Sequence, residues 1–347
     1  MHERSSLEFG DAQKMRMPTV LILLSMVLQA GCIEEQSLTK PVGERSKVDV
    51  SRLKSRALGI VREALADESG VIRSHAIEVI VTTKRRELMP QVLKLLADEQ
   101  IHVRFGAGVA VGDMEYTPGE YMIKSMLEDP NPNARIAAAY ALSRLGRAEY
   151  AEKIRDAAKS TDQTVRANAA LLLGKLGDKN NLPLLYEVLH APDSVDKVRF
   201  QAVESIARLG DEQIYKNKLW ALLISKYADD RVLGIRGMGL LNTVDAKNAI
   251  ITMLNDEVGE VRLCAAEQLA QMGDLAGEQE VVSYFKTQSP DLNEASVANI
   301  FATMAIGRMA TASGTKYLPK LLQSRSKVVR LTAAQSVLLL VPTEHAP

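Results

Sequence analysis

The chain repeats itself every 31 residues. Arg73, Arg104, Arg135 and Arg166 stand 31 positions apart, Arg199 follows after 33, and Arg262 and Arg330 fall in the same pattern further on. Self-similarity at such a period means a stacked array of one supersecondary unit, in which each copy buries its apolar face only against its neighbours. It overrides the two ordinary domains that 347 residues would otherwise allow.

The unit reads most clearly at 162–178, DQTVRANAALLLGKLGD, and again at 256–274, DEVGEVRLCAAEQLAQMGD. Counted from the arginine, positions +3, +4, +7 and +10 are Ala138, Ala139, Leu142 and Leu145 in one copy and Ala169, Ala170, Leu173 and Leu176 in the next. That spacing is one face of a 3.6-period helix, and its paired alanines allow close helix approach. Gly146, Gly177, Gly210 and Gly273 lie at +11 and read as helix stops, where a left-handed residue is needed. An aspartate before the helix can cap its free N–H groups. A first helix follows each stop, as in 184–189 and 247–254, and Pro90, Pro183 and Pro319 lie near such starts. Two copies are degenerate. Around 229–245 Leu233 is expected in the arginine slot, with Arg236 the alternative; around 290–307 Ser296 takes it and Gly307 closes the helix. Nine units result. Alternating Val/Ile/Thr strand patterns are missing, so the chain reads as all-α.

The motif Asp-x(n)-Val-Arg-x-x-Ala-Ala-x-x-Leu-x-x-Leu-Gly-Asp resembles the short HEAT-like repeats of the phycobilisome-lyase-like class of bacterial proteins, over residues 51–341. The resemblance implies an all-α, right-handed alpha-alpha superhelix, a HEAT-like or armadillo-type solenoid of about nine helix-pair repeats, here one elongated body. Tetratricopeptide and ankyrin signatures are absent.

The N-terminus carries a second message. Residues 20–28 are strongly apolar but too short to span a bilayer, and Lys14 and Arg16 precede them. Leu28-Gln29-Ala30-Gly31-Cys32 resembles the lipobox of a bacterial lipoprotein signal, with Gln29 departing from the small or aliphatic residue usual there. The resemblance implies lipidation at Cys32, and Met15 or Met17 as possible starts. More than one acyl chain gives stable anchoring. The expected organisation is a signal segment over 1–31, an anchored flexible tether over 32–50 rich in polar residues, and the solenoid over 51–347. The same resemblance implies the outer membrane, since Ile33 stands after the cysteine where an aspartate would mark retention at the inner one.

Chemistry is sparse. The five histidines make no metal-ligand spacing, and no His-Glu-x-x-His or phosphate loop occurs, so no metal and no cofactor is expected. His75 and His102 read as solvated or loop histidines. Cys264, without a motif partner, reads as a structural thiol. Gly234, Gly237 and Gly239 read as close helix packing. The repeat arginines Arg73, Arg104, Arg135, Arg166, Arg199, Arg262 and Arg330 read as structural, each paired with a loop aspartate, in preference to an anion ladder. Positions +2, +5 and +9 point away from the buried stripe. There Tyr140, Arg144, Leu171, Lys175, Glu204 and Arg208 make a candidate partner-binding row with a basic edge. Forty-three basic and 43 acidic residues give zero net charge, which disfavours nucleic acid as partner. Residues 1–31 hold three of each sign, so the remainder is balanced too.

The functional expectation is a non-enzymatic, lipid-anchored HEAT-repeat scaffold for protein–protein interaction in the bacterial cell envelope, with no small-molecule substrate. The alternatives are a phycobilisome-lyase-like enzyme or its non-catalytic relative, and a cytosolic HEAT-repeat adaptor if the signal is not used.

Overall fold

The computed structural model describes residues 50–287 and 290–341. The signal segment, Cys32 and the tether lie outside the described residues. Among the described residues every regular element is helical. The pairs, in chain order, are α1 (Val50–Leu65) with α2 (Gly70–Thr82), α3 (Met89–Lys94) with α4 (Ile101–Asp113), and α5 (Glu120–Met126) with α6 (Pro132–Arg144). Then come α7 (Ala151–Ala157) with α8 (Gln163–Leu176), α9 (Leu182–His190) with α10 (Asp196–Arg208), and α11 (Trp220–Leu223) with α12 (Ala228–Leu241). The last three are α13 (Val244–Thr252) with α14 (Gly259–Gln271), α15 (Glu278–Thr287) with α16 (Val297–Met309), and α17 (Ala312–Thr315) and α18 (Leu318–Leu321) with α19 (Lys327–Leu340). Nine repeats are thus present, as the period implies. Pro90, Pro183 and Pro319 occupy first-turn positions of α3, α9 and α18.

The second helices, α2, α4, α6, α8, α10, α12, α14, α16 and α19, pack each against the next. The last of them also packs against α1 and α2. The array therefore closes on itself, and the elongated open solenoid expected from the period is corrected to a ring. One apolar core runs through it from Ala57 to Leu338. Polar groups fasten the seam. Arg56 Nη2 donates to the Leu322 carbonyl at 3.2 Å, and Lys327 Nζ meets Asp67 Oδ2 at 2.6 Å. Arg85, only 2% exposed, donates to the carbonyls of Leu338 at 2.6 Å and Val341 at 2.7 Å. A helix leaves its last four carbonyls without intrahelical partners. Here the first repeat supplies donors to the end of the last.

The backbone also fixes the register of the degenerate copies. Positive φ recurs 11 positions after the slot at Lys84 (53°), Glu115 (44°), Gly146 (90°), Gly177 (77°), Gly210 (72°) and Gly273 (77°). The remaining two positive-φ residues are Asn242 (53°) and Ala310 (57°), so the slots are Arg231 and Asn299. Leu233 and Ser296 are not the slot residues, and Ala310, not Gly307, closes α16. Helix packing agrees. Gly112, Gly174, Gly239 and Gly307 all lie at +8, and a Cβ there would meet the following helix, for example Ser205 Cβ at 2.6 Å from Gly174 and Ser336 Cα at 2.5 Å from Gly307. The sequence pattern misled because Arg231 follows Arg199 after 32 residues and the next slot holds no arginine.

The slot arginines are staples between loops. Arg73 donates to the carbonyls of Asp67 (2.7 Å) and Glu68 (3.0 Å) in its own loop, and its Nε reaches Asp98 Oδ2 of the next loop at 2.7 Å. Arg104 pairs with Asp129 at 2.8 Å, Arg166 with Asp193 at 2.8 Å and Arg231 with Asp256 at 2.7 Å in the same way. Arg262 takes Glu280 at 2.9 Å; Arg135 and Arg330 keep only loop carbonyls among the bonds described. Arg199 pairs weakly with Asp196 at 3.5 Å. Asn299 substitutes for the arginine by donating to the Asp291 and Glu294 carbonyls at 2.9 and 2.8 Å. Burial alone would raise the Asp98 carboxyl, but the Arg73 guanidinium and the Gln100 N–H hold it below its ordinary range.

Replacing Arg85 by Met leaves the carbonyls of Leu338 and Val341 without that donor. It should cost about 2 kcal/mol or more and raise the radius of gyration in small-angle scattering as the seam loosens. Arg231→Met strands the carboxylate of Asp256 and should cost about 3 kcal/mol, read as a lower urea midpoint. Leu233→Met, at the slot expected from sequence, should cost less than about 1 kcal/mol.

Candidate functional site

Ring closure turns the +5 and +9 faces of the inner helices toward a common centre. The six residues expected in the partner-binding row all lie on this inward face. Tyr140 (1% exposed), Leu171 (2%), Lys175 (6%) and Glu204 (7%) are buried, and Arg144 and Arg208 are half-buried. The row expected to point away from the buried stripe is corrected: four of its six residues are buried.

Their polar atoms are engaged with one another and with acids of neighbouring repeats. Three helices converge on Asp113 at the end of α4. Tyr140 of α6 donates its hydroxyl to Oδ1 at 2.6 Å, and Lys175 of α8 places Nζ 3.0 Å from Oδ2. The Lys175 and Asp113 side chains are 2% and 5% exposed. Arg144 pairs with Glu115 at 2.6 Å. Further round, Arg236 of α12 meets Glu204 of α10 at 3.5 Å, and Gln201 donates to the same carboxylate at 3.3 Å. Arg308 of α16 contacts both Glu267 and Gln271 of α14. Leu171 fills the +5 place between Tyr140 and Glu204 without a polar role. Such pairs hold the centre only because every desolvated charge has a partner.

Glu78 of α2 is the exception. Its carboxyl makes no hydrogen bond or ion pair among the described residues. Burial pushes it well above the ordinary carboxylate range, only partly countered by the fields of Arg236, Lys175 and Arg308. Those three cations come from three other repeats, so Glu78 faces the middle of the ring. Its neighbour His75 is 8% exposed, which corrects the solvated histidine expected, and burial lowers it to about 4. Cys264 is buried on α14 and burial raises its thiol well above the ordinary value, which suits a structural thiol. Gly237 packs as expected, since a Cβ there would lie 2.3 Å from Leu219 Cδ2.

Arg236 and Arg308 were not visible as central residues in the sequence, because both depend on the corrected slots. Counted from Arg231 and Asn299 they stand at +5 and +9, the positions that place Glu204 and Lys175 inside. The +8 glycines carried the missing signal, since they mark the same register.

Two titrations should oppose each other. Folded Glu78 keeps a proton that the unfolded chain releases above the ordinary value of 4.5, so its contribution falls as pH rises from there. Folded His75 refuses a proton that the unfolded chain binds below 6.5, so stability is lost as pH falls from 6.5 toward 4, on the order of 3 kcal/mol. Glu78→Gln should therefore raise the urea midpoint at pH 8, with the gain shrinking toward pH 4.5. His75→Gln should flatten the acid limb. Identical pH profiles for Glu78→Gln and wild type would contradict the first assignment.

The family described as HEAT repeats matches residues 119–207 and 152–231. No curated protein matches the chain. Among solved structures the chain is similar to the CpcE–CpcF complex of phycocyanin lyase from Nostoc sp., with 18% identity over 67% of this chain and 91% of that one, at a TM-score of 0.42. It is similar to human deoxyhypusine hydroxylase in complex with glycerol, with 16% identity over 75% and 98% at 0.37. It is also similar to importin beta, with 13% identity over 84% and 47% at 0.34. These likenesses transfer no residue role. The HEAT-repeat model thus covers repeats 3 to 6, and the same helix pair and arginine register continue around the described ring.

Proposed function

We propose that this protein is a HEAT-repeat scaffold, tethered by lipid at Cys32 to the bacterial cell envelope, preferentially the outer membrane, and that it holds a protein partner and performs no catalysis. The observation that carries the scaffold reading is the central network. The inward ionisable side chains from α4 to α16 are largely paired with one another across repeats, which is the arrangement of a stiffened body and not of an open reaction site. The lipid anchor rests on the lipobox-like run ending at Cys32 and on the polar stretch that follows it before α1. A body of this kind acts by presenting fixed outer and rim surfaces at a set distance from the membrane.

Fractionation of cells expressing the wild type and Cys32→Ala tests the reading. Wild type is expected in the membrane fraction, released by detergent and not by high salt, and Cys32→Ala in the soluble fraction. If both stay in the soluble cytoplasm, the anchored scaffold is refuted and the cytosolic adaptor takes its place.

A further inference from the structure

The rim that carries the starts of the inner helices breaks its own pattern in one arc. In every repeat but the eighth, the residue four before the slot is the N-cap of the inner helix. It is polar in repeats 1 to 4 and 9, as Ser69, Gln100, Asn131, Asp162 and Ser326, and the cap of repeat 8 is Ser296. In repeats 5, 6 and 7 it is Val195, Tyr227 and Val258, and none of these side chains caps its helix. Ser69 and Gln100 make no cap bond either, so side-chain caps stand in repeats 3, 4, 8 and 9, and what sets repeats 5, 6 and 7 apart is an apolar side chain at a position that is polar elsewhere on the rim. Val195 and Tyr227 are 47% and 50% exposed, while Val258 is half-buried.

The outer layer adds to the same arc. The 32-residue spacing from Arg199 to Arg231 inserts one residue, and a π turn over Tyr215–Leu219 absorbs it. Next to it Trp220 and Ile224, one helical turn apart, are 43% and 68% exposed. Ile224 reaches the rim beside Tyr227. Exposed large apolar side chains on this rim are confined, among the described residues, to repeats 5 and 6.

The charges beside this surface are acidic in repeats 6 and 7. Asp229 and Glu260 occupy the same register, two residues before Arg231 and Arg262 in adjacent repeats. Neither makes a hydrogen bond or ion pair among the described residues, and the charge of Asp229 helps burial to raise the Glu260 carboxyl. Glu257, with its side chain 83% exposed, stands next to Val258. Lys197 holds the equivalent place in repeat 5, and Lys226 already lies over the Tyr227 ring at 4.9 Å. An unpaired like-charge pair flanking an aromatic and aliphatic ledge is complementary to cations flanking apolar anchors.

We propose that the rim of repeats 5 to 7 docks a basic segment of a partner protein, whose apolar side chains seat on Ile224, Tyr227 and Val195 while its lysines or arginines meet Asp229 and Glu260. The proposal rests on the scaffold reading and names the surface and the partner's chemistry.

Trp220 is the single tryptophan of the chain, so its fluorescence reports this surface alone. The full chain would be titrated with two synthetic amphipathic helices of roughly 14 residues, one of Lys and Leu and one of Glu and Leu. The Lys/Leu peptide should shift the emission saturably and the Glu/Leu peptide should not. Affinity should fall about tenfold or more in Asp229→Lys/Glu260→Lys and in Ile224→Ser/Tyr227→Ser. It should hold in Glu68→Lys/Glu99→Lys, which reverses acids on the same rim beside polar caps. Tyr227→Ser should melt no lower than wild type, because serine can cap α12, so lost binding there is not lost folding. Equal response to both peptides, or equal loss in the Glu68/Glu99 control, would overturn the proposal. So would a response to anionic phosphatidylglycerol vesicles in place of the basic peptide, or self-association abolished by Tyr227→Ser. The titration does not depend on where the chain resides, so its failure leaves the anchor standing, and mislocalisation of the wild type leaves the docking result standing.

Discussion

The contact on which the rest of the ring depends is the packing of α19 against α1 and α2. An open solenoid has two terminal repeats whose apolar faces need polar covers. Here each end covers the other. Arg85 donates into the last turn of α19, and Lys327 takes the acid of the first loop, Asp67, as Arg73 takes Asp98 one step later. The seam therefore continues the loop-to-loop stapling of the other repeats with a lysine in the arginine's part. Closure also demands that the rotations of nine repeats add up to one full turn, so no inner helix can tolerate an inserted residue without opening the seam.

That demand explains where the insertions went. Every inner helix keeps 13 or 14 residues. The spacings of 33, 32 and 37 between successive slots are taken up elsewhere. The 33 lengthens the outer helix α9, the 32 becomes the π turn before α11, and the 37 falls between α15 and α16. The inner circle is conserved in geometry and the outer layer absorbs the variation.

The same division decides what the sequence could show. The period, the alanine pairs and the +11 stops lie on the inner circle, and they suffice for an all-α array of nine repeats. Closure was not legible, because it depends on a few degrees of rotation per repeat, summed over nine, which no single residue encodes. The two degenerate copies misread for a related reason. Arg231 was hidden by one inserted residue, and Asn299 performs the arginine's carbonyl-binding task with another side chain. The left-handed residue at +11 is a backbone requirement, met by glycine in four copies and by Lys84, Glu115, Asn242 and Ala310 in the rest. A glycine pattern sees only half of it. With the slots corrected, Arg236 and Arg308 join Glu204 and Lys175 as central residues, and the inward row becomes a network across the ring.

The central network and the rim divide the polar chemistry of the molecule between them. Charges facing the centre are desolvated, and a lone one there carries a penalty that pairing must offset. Lys175 with Asp113 and Arg236 with Glu204 meet that condition, and at Glu78, which has no such partner, burial pushes the carboxyl well above its ordinary range. The rim is under less constraint, since Asp229 and Glu260 stand there exposed with no hydrogen bond or ion pair among the described residues. Departures from the repeat pattern are therefore cheap on the rim and costly at the centre. At the centre they must compensate one another across repeats, as the Asp113 cluster does with contributions from three helices. On the rim they need no compensation, and three helices in succession carry apolar side chains at the cap position. A run of apolar residues in one contiguous arc, while the rest of the rim keeps polar residues at the same position, is the mark of a surface shaped by something outside the chain.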